Sequence, residues 1–203
     1  MTDRHSGPAY VWAGVFLAVL AWSAIGPKDY PTWWLEVLPA LIAFAVLIRT
    51  RTRFPLTSLS YTLILIHCII LIVGGHYTYA EVPIGDWLRE VTDGTRNNYD
   101  KLGHLAQGFV PAVVAREVLI RLEVVPAAAW RNFFIVASVL GFSAFYELIE
   151  WWVALLSDEA AESFLGTQGY VWDTQSDMAW ALFGAISGML LLSRWQDAQI
   201  RRL

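Results

Sequence analysis

Long apolar blocks separated by short polar connections dominate the chain. Six blocks approach the roughly 20 residues that a helix needs to cross a hydrocarbon core about 30 Å thick. They run from Ala9 to Ile25, Trp33 to Ile48, Leu56 to Gly75, Asp100 to Arg121, Arg131 to Leu156 and Asp173 to Leu192. The pattern predicts an all-α, polytopic integral membrane bundle of about six transmembrane helices, in a single domain spanning residues 1–203. The second block is short and carries Glu36 and Pro39 near its start, which tilt or local bilayer thinning accommodates. The first block has an alternative reading as a signal segment with "LAWSAIG" as its cleavage region, against a weak basic start and a long apolar part. Between the third and fourth blocks, Ile84, Trp87, Leu88 and Val91 recur at helical spacing, which predicts a short amphipathic helix lying in the interface. Before the last block, "ESFLGTQGYVW" suits a turn that re-enters the headgroup layer.

Composition agrees with a membrane protein, since 57% of residues are hydrophobic and only 16% charged. The distribution of bases adds an orientation. Arg49, Arg51 and Arg53 follow the second block, Arg121 and Arg131 flank the fourth connection, and Arg194, Arg201 and Arg202 close the chain. By the positive-inside rule these connections and both termini are cytoplasmic. Ser157 to Trp172 contains Asp158, Glu159 and Glu162 with no base, and is expected to face outward. Cys68 is the sole cysteine, so no disulfide forms within the chain. The net charge of −4 says little about partners, and no nucleic-acid partner is expected.

This orientation brings three helix ends to the outer side, each with an ionisable pair: Asp100 and His104, Glu147 and Glu150, Asp173 and Asp177. Spacings of three or four residues put each pair on one helix face. At a rise of about 1.5 Å per residue the three pairs reach one layer of the membrane. Carboxylates there are costly unless compensated. A divalent metal cation would compensate them, with His104, Glu147, Glu150, Asp173 and Asp177 as candidate ligands, because such a donor set suits magnesium, calcium or manganese and admits iron or zinc. Pairing with Lys101, Arg96 or Arg89 would compensate them without metal. His104, Glu147 and Asp100 are the candidates for acid–base catalysis. Helix faces support convergence: Ala181, Gly184 and Gly188 continue the stripe of Asp173 and Asp177, and small residues let backbones approach.

Blander readings stand beside these. Asp100 and Asp173 suit helix N-caps, with Lys101 snorkelling. Glu147 lies too deep for a cap. His76, in "GGHYTY", is a further candidate ligand, although a lone interfacial histidine is more often structural, and His67 reads as a neutral core residue. Glu117 and Arg121 form an i, i+4 pair at the inner end. No P-loop, dinucleotide fingerprint, GxSxG elbow or HExxH occurs.

The stretches "GGHYTYAEVP", "RNNYDKLGHLAQGFVPA", "FYELIEWW" and "FLGTQGYVWDTQSDM" resemble the YjdF-like family of bacterial inner-membrane proteins, over about residues 50 to 193. In that family an acid is expected after "TQG", where this chain has Tyr170. A more distant similarity is to VanZ-like membrane proteins, which share a D-K-x-x-H start to one helix, an acidic next helix and an Asp-led, Gly-containing last one. The resemblance implies an inner-membrane location and a cell-envelope role, and assigns no reaction. Together these readings lead to the expectation of a cation-dependent site near the outer face, binding or acting on a membrane lipid or lipid-linked small molecule. A metal-dependent hydrolase or transferase is one form of this, although no nucleophile or leaving-group clamp is visible. A proton- or cation-coupled transporter and a non-catalytic structural protein are the alternatives, and oligomeric state is left open.

Overall fold

The computed structural model describes residues 6–156 and 168–203. Among them are seven α-helices and no strand: α1 (Ser6–Ser23), α2 (Tyr30–Thr50), α3 (Ser58–Tyr77), α4 (Pro83–Val91), α5 (Tyr99–Arg121), α6 (Ala128–Ala154) and α7 (Asp173–Ile200). A single turn of 3-10 helix, Tyr79–Glu81, leads into α4. The molecule is a helical membrane bundle. Helices α2, α3, α6 and α7 are each long and apolar enough to cross a bilayer, and α1 is a shorter apolar helix. Helix α5 is long enough too, but it is the most polar of the set for a structural reason: it packs against α3, α6 and α7 and needs little lipid-compatible surface.

Local signals explain several boundaries. Asp29 caps α2 by accepting from the Thr32 amide at 2.8 Å, and Pro31 occupies the first turn, where its missing N–H costs nothing. Thr57 caps α3 through the Ser60 amide. The expected interfacial helix is α4, and Ile84, Trp87, Leu88 and Val91 are all exposed on it. Helix α7 runs eight residues beyond the expected Leu192 because its last turns are tied to neighbours. There Gln196 donates to the Val113 carbonyl and accepts from Arg116, and Gln199 accepts from Ser58 and the Leu59 amide. Most of "ESFLGTQGYVW", with Asp158, Glu159 and Glu162, lies outside the described residues.

Two associations build the bundle. Phe16 of α1 is fully buried against Trp33, Val37 and Ala40 of α2 and Cys68 and Ile72 of α3, and stacks on Phe44. Helices α5 and α7 run parallel with their backbones in contact. A methyl group on Gly108 would overlap the Ala181 carbonyl, and one on Gly184 would overlap the Leu105 carbonyl. The expected small-residue stripe is therefore the face α7 turns to α5.

At the arginine-bearing end, Glu117 has no exposed surface. It accepts from the Thr57 amide (2.7 Å), Thr57 Oγ1 (2.6 Å) and Ser60 Oγ (2.6 Å), and pairs with Arg121 at 3.0 Å. This residue thus fastens the start of α3 to the end of α5, a larger role than the helical pair read from sequence. The start of α1 lies at this same end, since Trp12 donates to the Tyr61 carbonyl, and so does the end of α7. Both ends of the described chain are opposite the acidic helix ends.

Candidate functional site

Helices α5 and α7 begin side by side, and α6 ends against them, so that all six predicted groups arrive at one end of the bundle. The N-caps are Asn98 and Trp172, neither of which caps through its side chain. Asp100 and Asp173 instead occupy first turns, where the helix dipole favours an acid, and their side chains turn to neighbouring charges. The N-cap reading is thereby replaced.

Arg96 Nη1 bonds Asp173 Oδ1 at 2.6 Å, and Lys101 Nζ bridges Asp173 Oδ1 at 2.8 Å and Asp177 Oδ1 at 2.6 Å. Lys101 is 9% exposed, so it does not snorkel; it is held among the carboxylates of α7. Tyr170 stands 5.4 Å from both Arg96 and Lys101, its ring face toward the cations. Where the family resemblance leads one to expect an acid, this chain sets an aromatic face over two cations. Gln168 holds this segment in place, exchanging hydrogen bonds of 3.1 and 3.0 Å with the backbone of Asn97.

His104 is the hub of the deeper part. Its Nδ1–H donates to Gln107 Oε1 at 2.9 Å, one turn along α5. That bond leaves Nε2 facing Asp100 Oδ1 (3.3 Å), Glu147 Oε1 (3.8 Å) and Asp177 Oδ2 (4.0 Å). Two three-residue sets share this histidine, Asp100 with His104 and Asp177, and His104 with Glu147 and Glu150. In each set one ligand atom per residue lies within 4.8 Å of the others. Asp173 belongs to neither set; its charge is taken by Arg96 and Lys101. Glu147 is 7% exposed, and its Oε1 has no hydrogen-bond partner. A neutral ring with its Nε2 lone pair facing three carboxylates would be unfavourable, and positive charge relieves it, either as a second proton on the ring or as a bound cation.

The remaining candidates lie elsewhere. Arg89 pairs with Asp86 on exposed α4. His76 donates to the Ser23 carbonyl at 2.9 Å and packs on Trp22, fastening α3 to α1. His67 is on the wall of a cavity of about 100 Å³ beneath the cluster, with its buried Nε2 lacking a partner.

That cavity brings in residues the sequence reading did not assign to the site. Glu36 of α2 is 3% exposed and accepts from Tyr146 Oη of α6 at 3.1 Å; Tyr79 and Gln107 share the wall with the expected Glu150. A signal existed, because Glu36 is an acid inside an apolar span. Its partner is 110 residues away, and no spacing rule connects them.

The family model described as "Predicted membrane protein (DUF2238)" matches residues 8–198. The chain belongs to this family. It is 50% identical over 184 residues to the inner membrane protein YjdF of Escherichia coli (strain K12), an alignment covering 91% of this chain and 88% of that protein. No solved structure matches. Membership of the YjdF family and the apolar helices together make this an inner-membrane, multi-pass protein.

Proposed function

We propose that the His104 cluster is a divalent-cation site facing the outer leaflet, and that it binds or transforms a lipid or lipid-linked phosphate. The observation that carries this reading is the crowding of Asp100, Glu147 and Asp177 around His104 Nε2, with a buried oxygen of Glu147 lacking a hydrogen bond. Lys101 and Arg96 already neutralise Asp173 and one oxygen of Asp177. Glu147 Oε1 is left without a hydrogen bond, and His104, Glu147 and Glu150, which lie together, are the residues assigned to hold the cation.

A bound divalent cation would supply Lewis acidity toward a phosphate oxygen or a water. The chain's own residues do the rest. Gln107 fixes the ring of His104 by its bond to Nδ1, so that Nε2 points into the cluster. Asp100, next to Nε2 but outside the set with Glu147 and Glu150, is placed to take a proton from an attacking water. Tyr170 covers the cations of Arg96 and Lys101, which bind the carboxylates of α7, and Gln168 fixes the backbone of Asn97 beside them.

The test is elemental analysis of protein purified without chelator, with mass spectrometry of the lipid phosphates in a membrane extract before and after incubation. The reading expects a stoichiometric divalent metal, and a lipid phosphate that is retained or altered only when metal is present. Metal-free protein that neither retains nor alters a lipid phosphate after reloading with Mn²⁺ or Mg²⁺ would overturn it.

A further inference from the structure

Four helices enclose the cavity beneath the cluster: α2 supplies Glu36 and Pro39, α3 His67 and Leu71, α5 Asp100, His104 and Gln107, and α6 Tyr146 and Glu150. Around this ring, α2 packs on α3, α3 on α5 and α5 on α6 with close backbone approach. The fourth side differs. Helices α2 and α6 do not approach closely along their lengths, and neither buried hydrophobic cluster contains residues of both. Among the described residues, the hydrogen bond that joins them is Tyr146 Oη to Glu36 Oε2. Glu36 lies six residues inside α2, about 9 Å below its start, so the seam beside it lies at the depth of lipid and not of water.

We propose that the seam between α2 and α6 is a lateral door through which a membrane lipid inserts its headgroup, with the Tyr146–Glu36 hydrogen bond as its latch. The proposal rests on the site described above and names how its substrate arrives. A cavity of about 100 Å³ accommodates a headgroup fragment and no acyl chain, so the chains stay in the bilayer while the head enters. The lining chooses the headgroup. Glu36, Asp100 and Glu150 are acceptors when ionised, Gln107 offers an amide, and the Tyr79 ring forms part of the wall. Such a wall favours a head that carries hydrogen-bond donors, the ammonium of an ethanolamine lipid or the hydroxyls of a glycerol lipid. It disfavours the fully methylated ammonium of choline, which has no N–H to give.

Native mass spectrometry in detergent tests this with phosphatidylethanolamine, phosphatidylglycerol and phosphatidylcholine added separately to wild type, Glu36→Gln and Leu71→Trp, the last filling the cavity without altering a polar group. The wild type should retain one or both of the donor-bearing lipids about tenfold better than phosphatidylcholine, and the stronger of the two identifies the source. Both variants should lose the preference. Equal retention of all three lipids by the wild type, or a preference unchanged in both variants, would overturn the door. Mn²⁺ binding measured on the same preparations separates the two readings: Mn²⁺ binding abolished by His104→Ala, alongside lipid retention without preference, removes the door and leaves the cation site standing.

Discussion

Lys101 shows how charges inside this bundle are balanced. Its ammonium lies between Asp173 and Asp177, and all three side chains are nearly buried. Removing one member of such a group leaves the others uncompensated in a poorly solvated place, which costs about 3–5 kcal/mol. Lys101→Met should therefore lower stability by that order in a detergent unfolding assay, and a further Asp177→Asn should restore part of it; a loss below about 1 kcal/mol would show the pair to be solvated. The acids of this group were legible, because ionisable residues at i and i+4 near a span end are unusual and share a face. The role of Lys101 was half legible: pairing and snorkelling were both open, and only the position of α7 decides between them. Glu36 and Tyr146 were not legible as a pair, since their contact depends on how two helices distant in sequence are arranged.

At the scale of elements, the start of α5 is placed by its packing on α7. Gly108 and Gly184 are where the two backbones touch, and a side chain at either position meets main chain, which cannot turn aside. Gly184→Leu should separate the helices, move Asp177 from His104, and lower thermal stability by an amount typical of core overpacking, about 1–3 kcal/mol or more. Gly141, whose Cβ position is open, is the control, and Gly141→Leu should leave the melting temperature nearly unchanged. Equal effects at the two positions would contradict the packing described. The small-residue stripe and the amphipathic α4 could be read from periodicity, because each repeats with the helical period. The length of α7 could not, since its last turns are polar and are held by Arg116, Ser58 and Val113, contacts that no local pattern encodes.

At the scale of the whole molecule, buried charge is sorted to two ends. One end holds Glu117 and Arg121 in a satisfied network that fastens α3 to α5. The other holds the crowded carboxylates around His104, with acceptors left over. Both ends of the described chain lie with the former, and Arg49, Arg51, Arg53, Arg201 and Arg202 are exposed. The positive-inside rule then predicts a cytoplasmic Leu203 and an outward-facing acidic layer. A fluorescent reporter that matures only in the cytoplasm should be bright when fused after Leu203, and a phosphatase reporter active only outside should be silent there; the opposite result would invert the site to the inner face. The central claim is that the outer cluster is one cation site and not three separate helix ends. Its most direct measurement is a double-mutant cycle on Mn²⁺ binding, read from the free-ion paramagnetic resonance signal, in chelator-stripped wild type, His104→Ala, Glu147→Gln and the double variant. All four proteins are first shown to be equally helical by circular dichroism. The account predicts saturable binding to the wild type, and loss in either single variant about as complete as in the double, the non-additivity of residues sharing a ligand. Absence of Mn²⁺ binding to the wild type, or full binding by the double variant, would contradict it.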